Sequence, residues 1–140
     1  MACSKNSTFA LAGNGQLYAW GSNKEGILGQ GKQSVDQYQP ILVKLEDVID
    51  IASGKAHAGA ITKRKSSLSQ DDYENALYMW GSNKYGQLGH GDFDFKCAPT
   101  ETIIKTGLNG NESSDTLTVS VKDQQPIGLS CGNVFTIVRT

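Results

Sequence analysis

The run Gly26-Ile27-Leu28-Gly29-Gln30-Gly31-Lys32 spells most of a phosphate-binding loop, in which backbone N–H groups cradle phosphate and the lysine reaches it. Gln33 stands where that motif needs a metal-binding Ser or Thr, and no strand-to-helix pattern surrounds it. The two histidines, His57 and His90, have no Cys or carboxylate at ligand spacing, and Cys3, Cys97 and Cys131 contain no C-x-x-C pair. A cysteine nucleophile needs a base within reach, and the sequence places none beside these thiols. The reading is therefore no catalytic residue, no metal and no cofactor. One modification chemistry stands out. Ser66 and Ser67 follow Lys63-Arg64-Lys65, and Ser69 precedes Gln70-Asp71-Asp72, so a phosphate there changes local charge sharply and makes Ser66, Ser67 and Ser69 a candidate regulatory loop.

The glycine-rich run belongs to a larger unit that the chain writes twice. Gly21-Ser22-Asn23-Lys24-Glu25-Gly26-Ile27-Leu28-Gly29-Gln30-Gly31 returns as Gly81-Ser82-Asn83-Lys84-Tyr85-Gly86-Gln87-Leu88-Gly89-His90-Gly91, each copy preceded by a tryptophan, Trp20 or Trp80. Eight of eleven positions agree, and four of those are glycine, the residue that reaches backbone angles closed to any Cβ. Fixed glycines specify a backbone path, so the run is a repeat turn rather than a phosphate cradle. The second copy has no lysine after Gly91. Positions that differ are free to carry specificity, which makes Glu25, Gln30, Tyr85 and His90 candidate partner contacts.

The remaining chain repeats too. Residues 2–12 align with 52–62 and again with 130–140, each a small pair, a short turn and an apolar stretch that suits a strand with one packed face. In this alignment Cys3 and Cys131 match Ser53 and read as small core fillers, whereas Cys97 is not explained by the repeat. Gly13-Asn14-Gly15 predicts a tight Asn-Gly hairpin turn into Leu17-Tyr18-Ala19-Trp20, with Tyr18 and Trp20 on one face and Leu17 and Ala19 on the other. A polar loop to Pro40 leads to Ile41-Leu42-Val43 and a strand at Val48-Ile49-Asp50-Ile51. The second unit carries two insertions. Ten extra residues fall in 63–74, a polar run turning from basic to acidic that predicts an exposed, mobile loop. Eighteen more fall between Trp80 and Gly132, near 106–123, where the alternation Leu117-Thr118-Val119-Ser120-Val121-Lys122 predicts a strand pairing with Thr102-Ile103-Ile104-Lys105.

Composition narrows the function classes. Net charge is −1 and no basic tail or patch appears, so nucleic acid is not favoured as a partner and an anionic membrane surface is not attracted. Sixteen glycines with three prolines suit a turn-rich all-β chain. Three unpaired cysteines, two sequons with no signal peptide before them and no apolar run of about 18 residues predict a soluble intracellular protein, cytoplasmic or nuclear.

The order Gly54, His57, Ile61, then Leu77, Tyr78, Trp80, Gly81, then Asn83, Gly86, Leu88, Gly89, Gly91, then Pro99 resembles the regulator of chromosome condensation repeat, and the copy from Leu17 through Gly31 to Pro40 fits equally well. The resemblance implies an all-β, partial β-propeller of about two four-stranded antiparallel blades, not closed by itself. Residues 1–140 then divide into a first repeat at about 2–51, a second at about 52–129 and the start of a third at 130–140. Trp20 and Trp80 are expected to pack between blades, and His57 to be a structural histidine near the blade core. Gly21, Gly26, Gly29, Gly31, Gly81, Gly86, Gly89 and Gly91 set the turns. Two blades do not make a circle, so further blades from the parent chain, another chain or self-association are expected to complete it. The function this implies is a non-enzymatic protein-binding module. The alternative is guanine nucleotide exchange on a small GTPase, the activity associated with the family's founding member, and a second alternative is chromatin docking.

Overall fold

A computed structural model describes residues 1–31, 35–66, 72–103 and 125–140. The first sheet holds β1 (Ala2–Cys3), β2 (Ser7–Leu11), β3 (Leu17–Gly21) and β4 (Gln37–Leu42), antiparallel and in chain order. The second repeats it with β5 (Val48–Ser53), β6 (His57–Lys65), β7 (Tyr73–Gly81) and β8 (Lys96–Glu101). A two-stranded sheet of β9 (Gly128–Cys131) and β10 (Thr136–Arg139) follows. Corresponding registers recur, with Thr8 opposite Trp20 and Ala58 opposite Trp80.

Alternation explains which faces meet. Leu17 and Ala19 are buried while Tyr18 and Trp20 are half-buried, the period of two that a strand imposes. The core lies between sheets. Phe9, Leu17, Ala19, Ile27, Leu28 and Val43 of the first unit join Val48, Ala58, Ala60 and Trp80 of the second in one cluster. Ala52, Ile61, Leu77, Met79 and Leu88 form the next with Leu129, against which Cys131 and Val138 pack. Strand β5 touches β1 and β2 on one side and β9 on the other, so the opening strands of successive sheets gather at one margin. At the opposite margin, β4 and β8 carry Pro40 and Pro99, which suit an outer strand because they cannot donate to a ladder on both sides.

Several expectations are corrected. The Gly13-Asn14-Gly15 hairpin is a three-residue loop closed by the Ala12 N–H on the Gln16 carbonyl (2.9 Å), with positive φ only at Gly15. The insertion at 63–74 is not a loop at either end. Lys63, Arg64 and Lys65 pair with Asn75, Glu74 and Tyr73 as an extension of the β6–β7 hairpin, so the basic and acidic arms face each other. Thr102 and Ile103 are not in a strand, and 104–105 and the alternating run at 117–122 lie outside the described residues. Cys3 is exposed rather than a core filler, because no sheet packs on the leading face of the first blade among the described residues.

Candidate functional site

Topology divides the molecule into two ends. The β1–β2 and β5–β6 turns and both eleven-residue loops lie at one end, because each leaves an antiparallel sheet on the same side. The β2–β3 turn, the Lys65 end of β6 with the Tyr73 start of β7, and the β4–β5 link lie at the other.

The two eleven-residue loops have one construction. Buried Asn23 accepts the Leu28 N–H at 2.9 Å, and buried Asn83 accepts the Leu88 N–H at 3.0 Å. Gly26 and Gly29 donate to Asn23 and Gly26 carbonyls, as Gly86 and Gly89 donate to Asn83 and Gly86. Each loop thereby turns a leucine, Leu28 or Leu88, wholly inward. Gly81 shows why glycine is needed: at φ +97° a Cβ would stand 2.6 Å from the Ala56 carbonyl oxygen.

On this frame the candidate contacts differ in setting. Tyr85 is 62% exposed, and Glu25 is half-buried with a positive φ of 60°. Gln30 and His90 are tethered rather than solvated. Gln30 donates Nε2–H to the Leu28 and Leu42 carbonyls, and His90 Nε2 lies 2.9 Å from Thr102 Oγ1 and 3.3 Å from the Thr100 carbonyl. Beside Glu25, a cleft of about 190 Å³ between the first eleven-residue loop and the 54–56 turn is lined by Lys5, Lys24 and Lys55. These lysines, with their neighbours Ser4 and Ser22, are functional candidates that the loop comparison missed. Their signal was positional: Lys5 matches Lys55, and Lys24 matches Lys84.

Ser66 sits at the opposite end, donating its N–H to the Asp72 carbonyl at 2.8 Å and its hydroxyl to Glu74 at 3.5 Å. Ser67 and Ser69 lie outside the described residues. The structure thus separates Ser66 from the partner-contact candidates.

Trp80 and Trp20 also part. Trp80 is fully buried between the two blades, its indole N–H donating to the Ile27 carbonyl at 2.7 Å and its ring edge-on to Phe9 at 6.1 Å. Trp20 is half-buried on the leading face of the first blade. Cys97, unexplained by the repeat, packs across the same joint: a Cβ on Gly26 would meet its Sγ at 2.6 Å, and its carbonyl accepts the Gly31 N–H at 2.8 Å. Burial raises its thiol pKa and that of Cys131, the latter to about 11, so neither is a ready nucleophile. His57 is buried, its Nε2 3.1 Å from Thr136 Oγ1, and burial lowers its pKa against the opposing Phe135 backbone bond. Among the described residues no His, Cys, Asp or Glu cluster suits a metal ion, and no helix is long and apolar enough to cross a membrane.

The family model of the regulator of chromosome condensation (RCC1) repeat matches residues 14–61 and 74–138. The chain belongs to the RCC1 repeat family. Each match runs across a joint, taking β3–β6 and then β7–β10, so one sequence repeat supplies halves of two neighbouring blades. The chain is 31% identical over its whole length to 11% of the human probable E3 ubiquitin-protein ligase HERC3, and 33% identical over 64% of its length to 2% of human E3 ubiquitin-protein ligase HERC2. Human alsin matches at 38% identity over 56% of the chain and 4% of its own. The fold is that of Prp20p from Saccharomyces cerevisiae, a structure described with its binding to Gsp1p and histones, at TM-score 0.70 and 18% identity over 98% of this chain and 29% of that one. It is therefore an all-β, unclosed part of an RCC1-type propeller, an RCC1-like repeat module spanning a small share of its much larger relatives.

Proposed function

We propose that the chain is a non-enzymatic protein-docking module of an intracellular protein, binding through the end that carries the eleven-residue loops. The observation that carries this is the pairing of one backbone with different outward side chains: the Asn23 and Asn83 turns are built alike, yet present Glu25 in one and exposed Tyr85 in the other. Rigid frames that vary only at the tip suit recognition rather than reaction. Lys5, Lys24 and Lys55 add positive charge around a small cleft, favouring an acidic stretch on the partner. Gln30 and His90 contribute by holding each loop to its outer strand. Ser66, Ser67 and Ser69 form the regulatory element; of these Ser66 lies at the far end, where a phosphate on it would repel Glu74. The blade-wise units at about 2–51, 52–129 and 130–140, offset from the family matches at 14–61 and 74–138, are parts of one larger scaffold.

The test is capture with the immobilised chain. A protein retained by the natural chain should be lost by at least about tenfold with Tyr85→Ala combined with Lys24→Glu, since central aromatic and charged anchors dominate interface energy. Retention unchanged by these variants, but abolished by changes at the opposite end, would place docking elsewhere. A second reading is favoured by the shared fold with Prp20p and its reported binding to Gsp1p: regulation of a small GTPase. Faster release of a fluorescent guanine nucleotide at catalytic amounts of the chain would select it. Histone binding by Prp20p gives chromatin docking a weaker claim, because this chain has a net charge of −1.

A further inference from the structure

The β2–β3 turn holds Asn14-Gly15, a pair with a chemistry of its own. An asparagine before glycine is open to attack on its side-chain amide by the next backbone nitrogen, because glycine puts no side chain in the way. Asn14 is exposed at the tip of the loop, and Gly15 takes a φ of +79°. The groups that would react are all held. The Gly15 N–H, whose proton must leave, donates to the Ala12 carbonyl at 3.0 Å. Asn14 Oδ1 accepts the Gln16 N–H at 3.2 Å, and Asn14 Nδ2 donates to Gln16 Oε1 at 2.9 Å. Gln16 Oε1 also accepts the Tyr18 hydroxyl at 3.1 Å. The side-chain amide is therefore clamped by Gln16, and Gln16 is anchored by Tyr18.

The same turn is bound into the joint between the first two blades. The Gly15 carbonyl accepts the Val48 N–H of β5 at 3.1 Å, and a Cβ on Gly15 would stand 3.2 Å from Asp47 Cα. Asp47 has a left-handed φ of 51°, and its carbonyl accepts the Lys63 N–H of β6 at 2.9 Å. A change of backbone between residues 14 and 15 thus reaches β5 directly and β6 through Asp47. Charge would change as well. Asn14, Lys44, Glu46 and Asp47 line one groove, where carboxylates already outnumber cations.

We propose that Asn14 is a site of spontaneous deamidation whose rate is set by the Gln16–Tyr18 clamp. When the clamp opens, the Gly15 nitrogen bonds to Asn14 Cγ, its proton passes through solvent to Nδ2, and the Cγ–Nδ2 bond breaks to release ammonia. A cyclic imide remains. Water then adds to either of its carbonyls. Breaking the bond from the Gly15 nitrogen to Cγ restores the ordinary backbone with a carboxylate at position 14. Breaking the bond to the main-chain carbonyl instead routes the chain through Cγ and leaves an extra backbone carbon. That product lengthens a loop that has to close Ala12 on Gln16 and Gly15 on Val48, so it loosens the tie to β5. The inference is independent of which end of the molecule docks a partner.

The test incubates the chain and a capped peptide of residues 11–18 (Leu-Ala-Gly-Asn-Gly-Gln-Leu-Tyr) side by side at neutral pH in ¹⁸O-labelled water, which marks conversion that precedes digestion. Mass spectrometry of the tryptic peptide 6–24 then reads Asn14 apart from Asn109-Gly110, a second such pair that lies outside the described residues. Expected is labelled conversion at Asn14 in the folded chain, slower than in the peptide by about ten- to a hundredfold because the turn must first open. Gln16→Ala and Tyr18→Phe each remove a bond of the clamp and raise the folded-chain rate about two- to tenfold, while the peptide rate stays as it was. Tyr18→Phe keeps the ring and so guards against a loosened sheet as the cause. In the chromatographically separated fraction with the lengthened backbone, exchange of the Val48 amide speeds up. A folded rate equal to the peptide's or more than about a hundredfold below it overturns the proposal. So do variants that leave the folded rate unchanged, or unchanged Val48 exchange in that fraction.

Discussion

A single buried donor separates the two tryptophans. Trp80→Phe would keep an aromatic plate between the blades but leave the Ile27 carbonyl, which accepts the indole N–H at 2.7 Å in the buried joint, without its partner. An unsatisfied buried acceptor costs about 1–3 kcal/mol. Trp20 has the same place in its repeat but is half-buried, so Trp20→Phe should change stability by no more than about 0.5 kcal/mol, as surface substitutions do. Parallel denaturant titrations of the two variants check this; equal losses would mean the indole N–H contributes nothing. At this scale the sequence was legible where chemistry repeats. Asn23 and Asn83, or Leu28 and Leu88, could be paired by alignment, and the structure gives each pair one role. Alignment could not show burial that depends on a neighbour. Cys3 and Cys131 align, yet Cys3 is exposed while Cys131 packs on the second cluster, since among the described residues Cys131 alone of the two has a blade at its back.

Strands outside the core lose the signal that identifies strands. Residues 63–65 and 73–75 pair across β6 and β7, but their side chains are largely exposed, so charge replaces apolar alternation and the stretch reads as a loop. Opposed charges hold the extension. Arg64 donates Nε–H to Glu74 at 2.8 Å and lies 2.9 Å from Glu101 on β8, linking three strands, and these carboxylates raise the pKa of its guanidinium. Exposed pairs of this kind are worth about 0.2–1 kcal/mol each and are screened by salt. Arg64→Gln should therefore lower stability by about 1 kcal/mol in dilute buffer and much less in concentrated salt. A loss that survives high salt would point to packing of the arginine stem instead. The three-residue hairpin at 13–15 teaches a similar lesson: Asn-Gly marks the turn, but only Gly15 takes the positive φ, because the loop closes one residue wider.

Stacking of blades, more than any blade's own sheet, decides how the whole molecule responds. The larger cluster takes Phe9, Leu17 and Leu28 from one unit and Ala58, Ala60 and Trp80 from the next, so this shared core is lost if either leaves. Cys97 on Gly26 and the Gly31–Cys97 backbone bond fasten the same joint. The β9–β10 sheet is held more lightly. It contributes Leu129, with Cys131 and Val138 alongside, and is tied by single bonds such as the Leu129 N–H on Asp50 and His57 on Thr136. In repeat arrays stability follows from such nearest-neighbour terms, so the joints set the cooperative units. Hydrogen exchange should show amides of β2, β3, β6 and β7 opening together at the global free energy, because Trp80 makes the first two blades one unit. Amides of β9 and β10 should open earlier by about 1–3 kcal/mol, the difference expected of a sheet held on one face. Separate transitions for the first two blades would show that the inter-blade core does not couple them.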